Sequence, residues 1–258
     1  MSDDTGFWPS DMLAAYKSIS CMAAGSSVTL SINAYRNGDH DKHGSPADGG
    51  TQDAELVKDG LLNVAPELPR RIGLFTFMDV FTGKGSPWAI AECLSWLVDR
   101  SELYIKRFGK AGAAPQRHVA GLLADDSLSW QDTLQTICDT YLGLDCNGFA
   151  GNWLRVCEPH FRLGPNSKPN QVRQKAVTVR RSVSEIEYWD VLCWAQNQHI
   201  AVVEGKGSSP NSFWVCQSAG GGPRMNEFPL LATGSGTFIL GAASKGDVGG
   251  DFYAVSLW

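Results

Sequence analysis

The sequence predicts an α+β fold, with helices in the first part of the chain and an antiparallel sheet in the second. Two observations carry this. Apolar residues recur at helical spacing within residues 9–24, 88–107 and 127–157. From residue 191 onward they gather instead into short runs separated by Gly, Ser, Pro and Asn, the pattern of strands and turns. A chain of 258 residues is long enough to bury a full core beneath both layers.

The first helix is expected over residues 9–24, with Pro9 in its first turn and Met12, Leu13, Tyr16, Ile19 and Met22 or Ala23 repeating on one face. Asn37 to Gln52 is polar and glycine-rich. Its His40 and His43 have a spacing that could hold a metal on a helix, but Gly38, Gly44 and Pro46 argue for a solvated loop, so no metal is expected there. A second helix is expected over 88–107, with Ile90, Cys93, Leu94, Leu97, Leu103 and Ile105 on or near one face and Gly109 as its stop. Gly112 to Pro115 reads as a joint, dividing a mostly helical region of no assigned role (1–120) from a second domain (121–258).

In that second domain, Ser127 or Ser129 caps a helix through Trp130, Leu134, Ile137, Cys138 and Tyr141 that ends at Gly143. A further helix opens near Cys146 and presents Phe149, Ala150, Trp153 and Cys157. After a polar loop from Gly164 to Asn170, strands are expected at Val191–Trp194, His199–Val203, Phe213–Gln217, Phe238–Ala242 and Phe252–Leu257.

Charge narrows the function classes. Against 27 Asp and Glu stand 22 Lys and Arg, a net charge of -5, so no basic footprint for nucleic acid or an anionic membrane is present. Met1 to Thr5 is acidic and no apolar core of a signal peptide follows, so the chain is expected to be made in the cytoplasm without a classical export signal. The longest apolar run, Ile72 to Phe81, is broken by Asp79 and too short to span a bilayer.

The 7 cysteines are odd in number and form no C-x-x-C pair, so most are expected to be reduced. Five lie among apolar neighbours as small core residues. Cys146 differs: Gly143 and Gly148 bracket it, Asp145 precedes it, and a helical pattern begins just after it.

A thiol at a helix N-terminus, with an imidazolium nearby, is held as the reactive thiolate. Its backbone N–H, without an intrahelical partner, is available to an oxyanion. His199 is the candidate base, because His40, His43, His118 and His160 lie in loops or before a proline-rich linker. A third group must orient its ring. If the hairpin around Glu204–Asn211 is symmetric about Ser208, Gln217 faces His199 and supplies an amide oxygen. A slip of one residue would offer Cys216 or Ser218 instead and reverse the faces.

Three stretches carry a family resemblance. D-C-N-G-F-A-G-N-W from Asp145 resembles the D-C-S-G-F-V motif of NlpC-type papain-like cysteine peptidases. W-D-V-L-C-W from Trp189 and H-I-A-V-V-E-G from His199 resemble that family's G-D-L-V-F-F and H-V-G-I-Y-I-G segments, in the same order. The match covers roughly the second half of the chain, and the related CHAP amidases share the last two segments. The resemblance implies a papain-like core of helices packed on an antiparallel sheet, with an N-terminal mainly helical extension.

It also implies a cysteine endopeptidase or amidase acting on peptidoglycan stem peptides, with Cys146 as nucleophile, His199 as base, Gln217 as orienter and no cofactor. Asp145 is read as structural. Asn147 stands where the motif has serine and either caps the helix or lines the site. Trp189 replaces the glycine before Asp190, in the substrate neighbourhood. Without an export signal, the expected role is an interbacterial toxin delivered by a secretion apparatus such as type VI, reaching the periplasm of a target cell. An immunity protein and an apparatus component would be its partners by analogy. A phage or bacterial lysin, a thiol acyltransferase and an inactive binding module are the alternatives.

Overall fold

The computed structural model describes residues 6–36, 51–241 and 249–258; His40 and His43 lie outside them. By contacts the chain divides into two units. One comprises Met1–Ala14 with Cys146–Trp258, the other Ala15–Asp145. By this packing criterion the division falls between Asp145 and Cys146.

Helix α1 spans Pro9–Lys17 and is followed by the hairpin β1 (Ile19–Ala23) and β2 (Ser26–Leu30). The long first helix read from the sequence is thus cut short. Ile19, Cys21 and Ala23 are buried while Ser20 and Met22 are exposed, a period of two, and Ala24 and Gly25 turn the chain with φ of 49° and 83°. The unit of Ala15–Asp145 continues with α2 (Thr51–Val64), α3 (Leu68–Ile72), α4 (Leu74–Phe81), α5 (Pro87–Asp99), α6 (Ser101–Phe108), α7 (Ala114–Leu123) and α8 (Trp130–Tyr141). The helix expected over 88–107 is two helices, broken at Arg100, where φ is -110°. Ser129 caps α8 as expected, accepting from the Asp132 amide at 3.1 Å. β1 packs on α5 and β2 on α8, around a core that includes Tyr16, Leu30, Leu61, Phe77, Leu94 and Ile137.

The other unit holds α9 (Cys146–Cys157), α10 (Pro169–Gln174) and the strands β3 (Thr178–Val179), β4 (Val191–Trp194), β5 (Ile200–Lys206), β6 (Ser212–Ala219), β7 (Gly222–Ala232), β8 (Phe238–Leu240) and β9 (Phe252–Ser256). The order β9-β4-β5-β6-β7-β8 runs antiparallel and closes on itself, because Phe252 of β9 also pairs with Phe238 of β8. β3 is an appendix on β9, with Thr178 opposite Ser256.

This corrects the expected fold class. The strands form a closed antiparallel barrel of 6 strands, in place of a papain-like core of helices laid on a sheet. The reason lies in the side chains that alternate inward. Leu192, Trp194, Ala201, Val203, Phe213, Val215, Phe228, Leu230, Phe238, Phe252 and Ala254 make one buried cluster. β5 contributes the smaller Ala201 and Val203 to this cluster, and β6, β8 and β9 contribute Phe213, Phe238 and Phe252, so that side chains fill the interior of a small barrel. Phe213, Phe238 and Phe252 are fully buried, each stabilising the barrel by about 2–3 kcal/mol. α9 packs against β5 and β6, and α10 against β4.

Candidate active site

Cys146 is the first residue of α9 and is 4% exposed. The segment leading to it is pinned within the preceding unit. The Asp145 amide donates to the Gly83 carbonyl at 2.7 Å, and Leu144 N–H to the Ala34 carbonyl at 3.0 Å. Gly83 has φ of 79°, and a Cβ there would overlap the Arg36 carbonyl. Buried Arg36 donates through Nε to the Leu142 carbonyl at 3.1 Å and through Nη2 to that of Thr140, capping the last turn of α8 with a cation where the helix dipole is negative. The Asp145 carboxylate lies 4.0 Å from the Lys84 ammonium, both side chains buried. The Asp145 side chain is thereby held against Lys84.

α9 itself is tightly set. Gly151 lies so close to the Gly164 backbone that a Cβ there would overlap it. The Trp153 indole N–H donates to the Phe7 carbonyl at 3.0 Å, and Cys157 reaches the same carbonyl at 3.2 Å. Phe7 belongs to the short segment before α1, which is held again where Ser10 donates through N and Oγ to the Glu204 carboxylate of β5, at 2.9 and 2.6 Å. Asn147 Oδ1 is buried without a hydrogen-bond partner among the described residues.

His199 immediately precedes β5 and is 1% exposed. Its Nε2 is 2.7 Å from Oε1 of Gln217 on β6. The pairing differs from the expected register. Val202 faces Cys216 and Val203 faces Val215, so continuation of the ladder sets Gln217 opposite Ala201, two residues along from His199. A slip of two keeps both side chains on one face, where a slip of one would have separated them. The symmetric hairpin assumed from the sequence fails because the turn closes from Gly207 to Ser212 and the ladder carries a bulge between Val203 and Gly205.

The imidazole is walled by Trp194, whose ring centroid is 4.8 Å away at an interplanar angle of 80°. Trp194 N–H donates to the His199 carbonyl at 3.0 Å, and its indole N–H donates to the Gly249 carbonyl at 3.1 Å. The sequence reading missed this residue as part of the site. The signal was present: Trp194 and His199 flank the turn between β4 and β5. Gln217 Nε2, by contrast, is buried with no partner among the described residues.

Asp190 is also buried, but its oxygens are committed. Arg180 donates to them through Nε at 2.8 Å and Nη2 at 3.0 Å, and the Glu187 amide adds a bond of 3.0 Å. Burial pushes the Asp190 carboxyl up from its ordinary range, while the Arg180 guanidinium pulls it down. Trp189 has φ of 67°, the left-handed region that favours glycine. Its ring lies 5.4 Å from that of Trp8, 5.7 Å from Tyr188 and 5.8 Å from Trp258, and its Nε1 has no partner among the described residues.

All 7 cysteines are free thiols. Burial pushes the thiol pKa up at Cys21, Cys93, Cys138, Cys157, Cys193 and Cys216, to about 12 at Cys157 and Cys193. Among the described residues no group of 3 or more His, Cys, Asp and Glu converges as a metal site, and no helix is long and apolar enough to cross a membrane.

The geometry therefore gathers a hydrogen-bonded histidine and glutamine at one end of the barrel, on the strands against which the helix opened by Cys146 is packed. Comparison with protein-family models, curated proteins and solved structures finds no match.

Proposed function

We propose that the chain is a cysteine hydrolase that cleaves an amide bond in peptidoglycan stem peptides. The observation that carries this is the 2.7 Å bond between His199 Nε2 and Gln217 Oε1, on the two strands that pack against α9. With Oε1 as acceptor, Nε2 carries the hydrogen, and on this reading Nδ1 is the ring nitrogen that exchanges a proton with the thiol. Gln217 acts as the positioning residue that selects this tautomer.

Cys146 thiolate attacks the amide carbonyl carbon, and the carbon–nitrogen bond breaks as His199 hands its proton to the departing amine. A thioester remains. Water then attacks it, His199 accepts the water's proton, and the carboxylic acid leaves as the proton returns to the thiolate sulfur. During both steps the amide N–H at the start of α9 faces the developing oxyanion. Asn147 Oδ1, buried and unpartnered, is suited to accept from a substrate N–H. The reading extends to use against a rival cell's wall, in which periplasmic exposure is the condition for damage.

Digestion of purified peptidoglycan with mass analysis of the fragments tests this and names the bond. Wild-type protein is expected to release fragments, and Cys146→Ala to release none while keeping its fold by circular dichroism. Undiminished release by Cys146→Ala would end the assignment. Targeted to the periplasm of a Gram-negative host, the wild-type chain is expected to lyse the cells and Cys146→Ala to spare them.

A further inference from the structure

Beside the imidazole, where the turn between β4 and β5 meets the residues entering β9, lies a cavity of about 310 Å³. It is lined by Trp194, Ala195, Gln196, Gln198, Gly250 and Asp251. The Ala195 amide donates to the Asp251 carbonyl at 2.9 Å, tying the two sides together. Trp194 is common to the cavity and the candidate site: it is one of the lining residues, and its ring packs on His199 at 4.8 Å. Gln198 is the chain neighbour of His199.

The lining has a specific hydrogen-bonding character. Gln198 Nε2 donates to Gln196 Oε1 at 2.6 Å. Whichever way the two amides are turned, one bond between them leaves a carbonyl oxygen and several N–H groups free. Asp251 adds a carboxylate that only accepts. Among the described lining residues none is Lys or Arg, so none of them offers an anionic ligand a counter-charge. An ammonium group, which only donates, would leave the spare amide N–H groups facing a donor. Hydroxyl and acetamido groups both donate and accept, and so match carboxylate and carboxamides together. The volume suits one sugar ring against the apolar indole wall.

We infer that this cavity is a saccharide subsite that takes an N-acetylated aminosugar. On the amide-hydrolase reading, on which this placement rests, the sugar belongs to the glycan strand carrying the stem peptide. Holding it there adds binding energy away from the reacting bond and fixes how the peptide enters.

The test uses the full chain carrying Cys146→Ala, titrated with N,N′-diacetylchitobiose and, separately, with a sugar-free stem peptide. The Trp194 indole N–H resonance is the reporter. Saturable displacement by chitobiose is expected, with affinity reduced about tenfold in Asp251→Ala and in Gln198→Ala, the effect of losing one hydrogen bond of this kind. No saturable response, or a response undiminished in both variants, overturns the proposal. A response to the sugar-free peptide alone overturns it in favour of a peptide pocket. Hydrolysis persisting in Cys146→Ala would end the thiol mechanism while leaving the chitobiose result to stand or fall by itself.

Discussion

Two polar pairs in the barrel unit, each anchored by a buried residue, are built to opposite ends. Arg180 and Asp190 satisfy each other with two hydrogen bonds, and the Glu187 amide adds a third to the carboxylate. His199 and Gln217 share a single bond and leave the glutamine Nε2 buried with no partner among the described residues. A folded protein rarely leaves such groups orphaned, since each costs about 1–3 kcal/mol. The first pair is complete and fastens the turn into β4. The second keeps hydrogen-bonding capacity in reserve at the barrel's end, which is what a site that must meet a substrate requires.

Breaking the first pair should act on stability. Asp190→Ala leaves the half-buried Arg180 cation with only the Glu187 carboxylate, 3.8 Å away, and is expected to destabilise the fold by about 2 kcal/mol in urea unfolding. Loss of activity should follow only the unfolded fraction. Breaking the second pair should act on turnover. Gln217→Ala is expected to lower kcat about 100-fold with KM little changed, while stability shifts by less than about 1 kcal/mol, because an orphaned amide goes with the lost bond. Gln217→His, which retains a ring acceptor, should recover part of that loss. If Gln217→Ala instead unfolds the protein while turnover per folded molecule is unchanged, the two pairs are alike and the contrast is gone.

A smaller effect is expected at Trp189. Glycine there relieves about 1 kcal/mol of left-handed strain, but removes a ring packed among Trp8, Tyr188 and Trp258. The net loss should be about 1 kcal/mol in thermal unfolding. A gain would mean that the cluster contributes little.

The candidate site was more legible in the sequence than the fold around it. The opening of α9 at Cys146 could be read because a short polar stretch gives way there to apolar residues at helical spacing. His199 and Gln217 could be placed on one face because strands alternate with a period of two, so that even a register wrong by two residues preserved the face. Barrel closure could not be read. β7 carries Pro223, Arg224, Asn226, Glu227 and Pro229 and shows no clean alternation, since its length is divided between pairing with β6 and with β8. The closing contact of Phe238 with Phe252 is a property of the assembled wall and leaves no local pattern. In the other unit, β1 and β2 were hidden because Ile19 and Met22 happened to continue the spacing of α1.

Thiol labelling at pH 7 reads the Cys146–His199 relation most directly. Iodoacetamide should modify Cys146 well before the six cysteines whose thiols burial pushes up. In His199→Ala the Cys146 rate should fall about tenfold or more, because the imidazolium that stabilises the thiolate is gone. Equal Cys146 rates in wild type and His199→Ala would contradict the assignment of this histidine and cysteine as one catalytic pair.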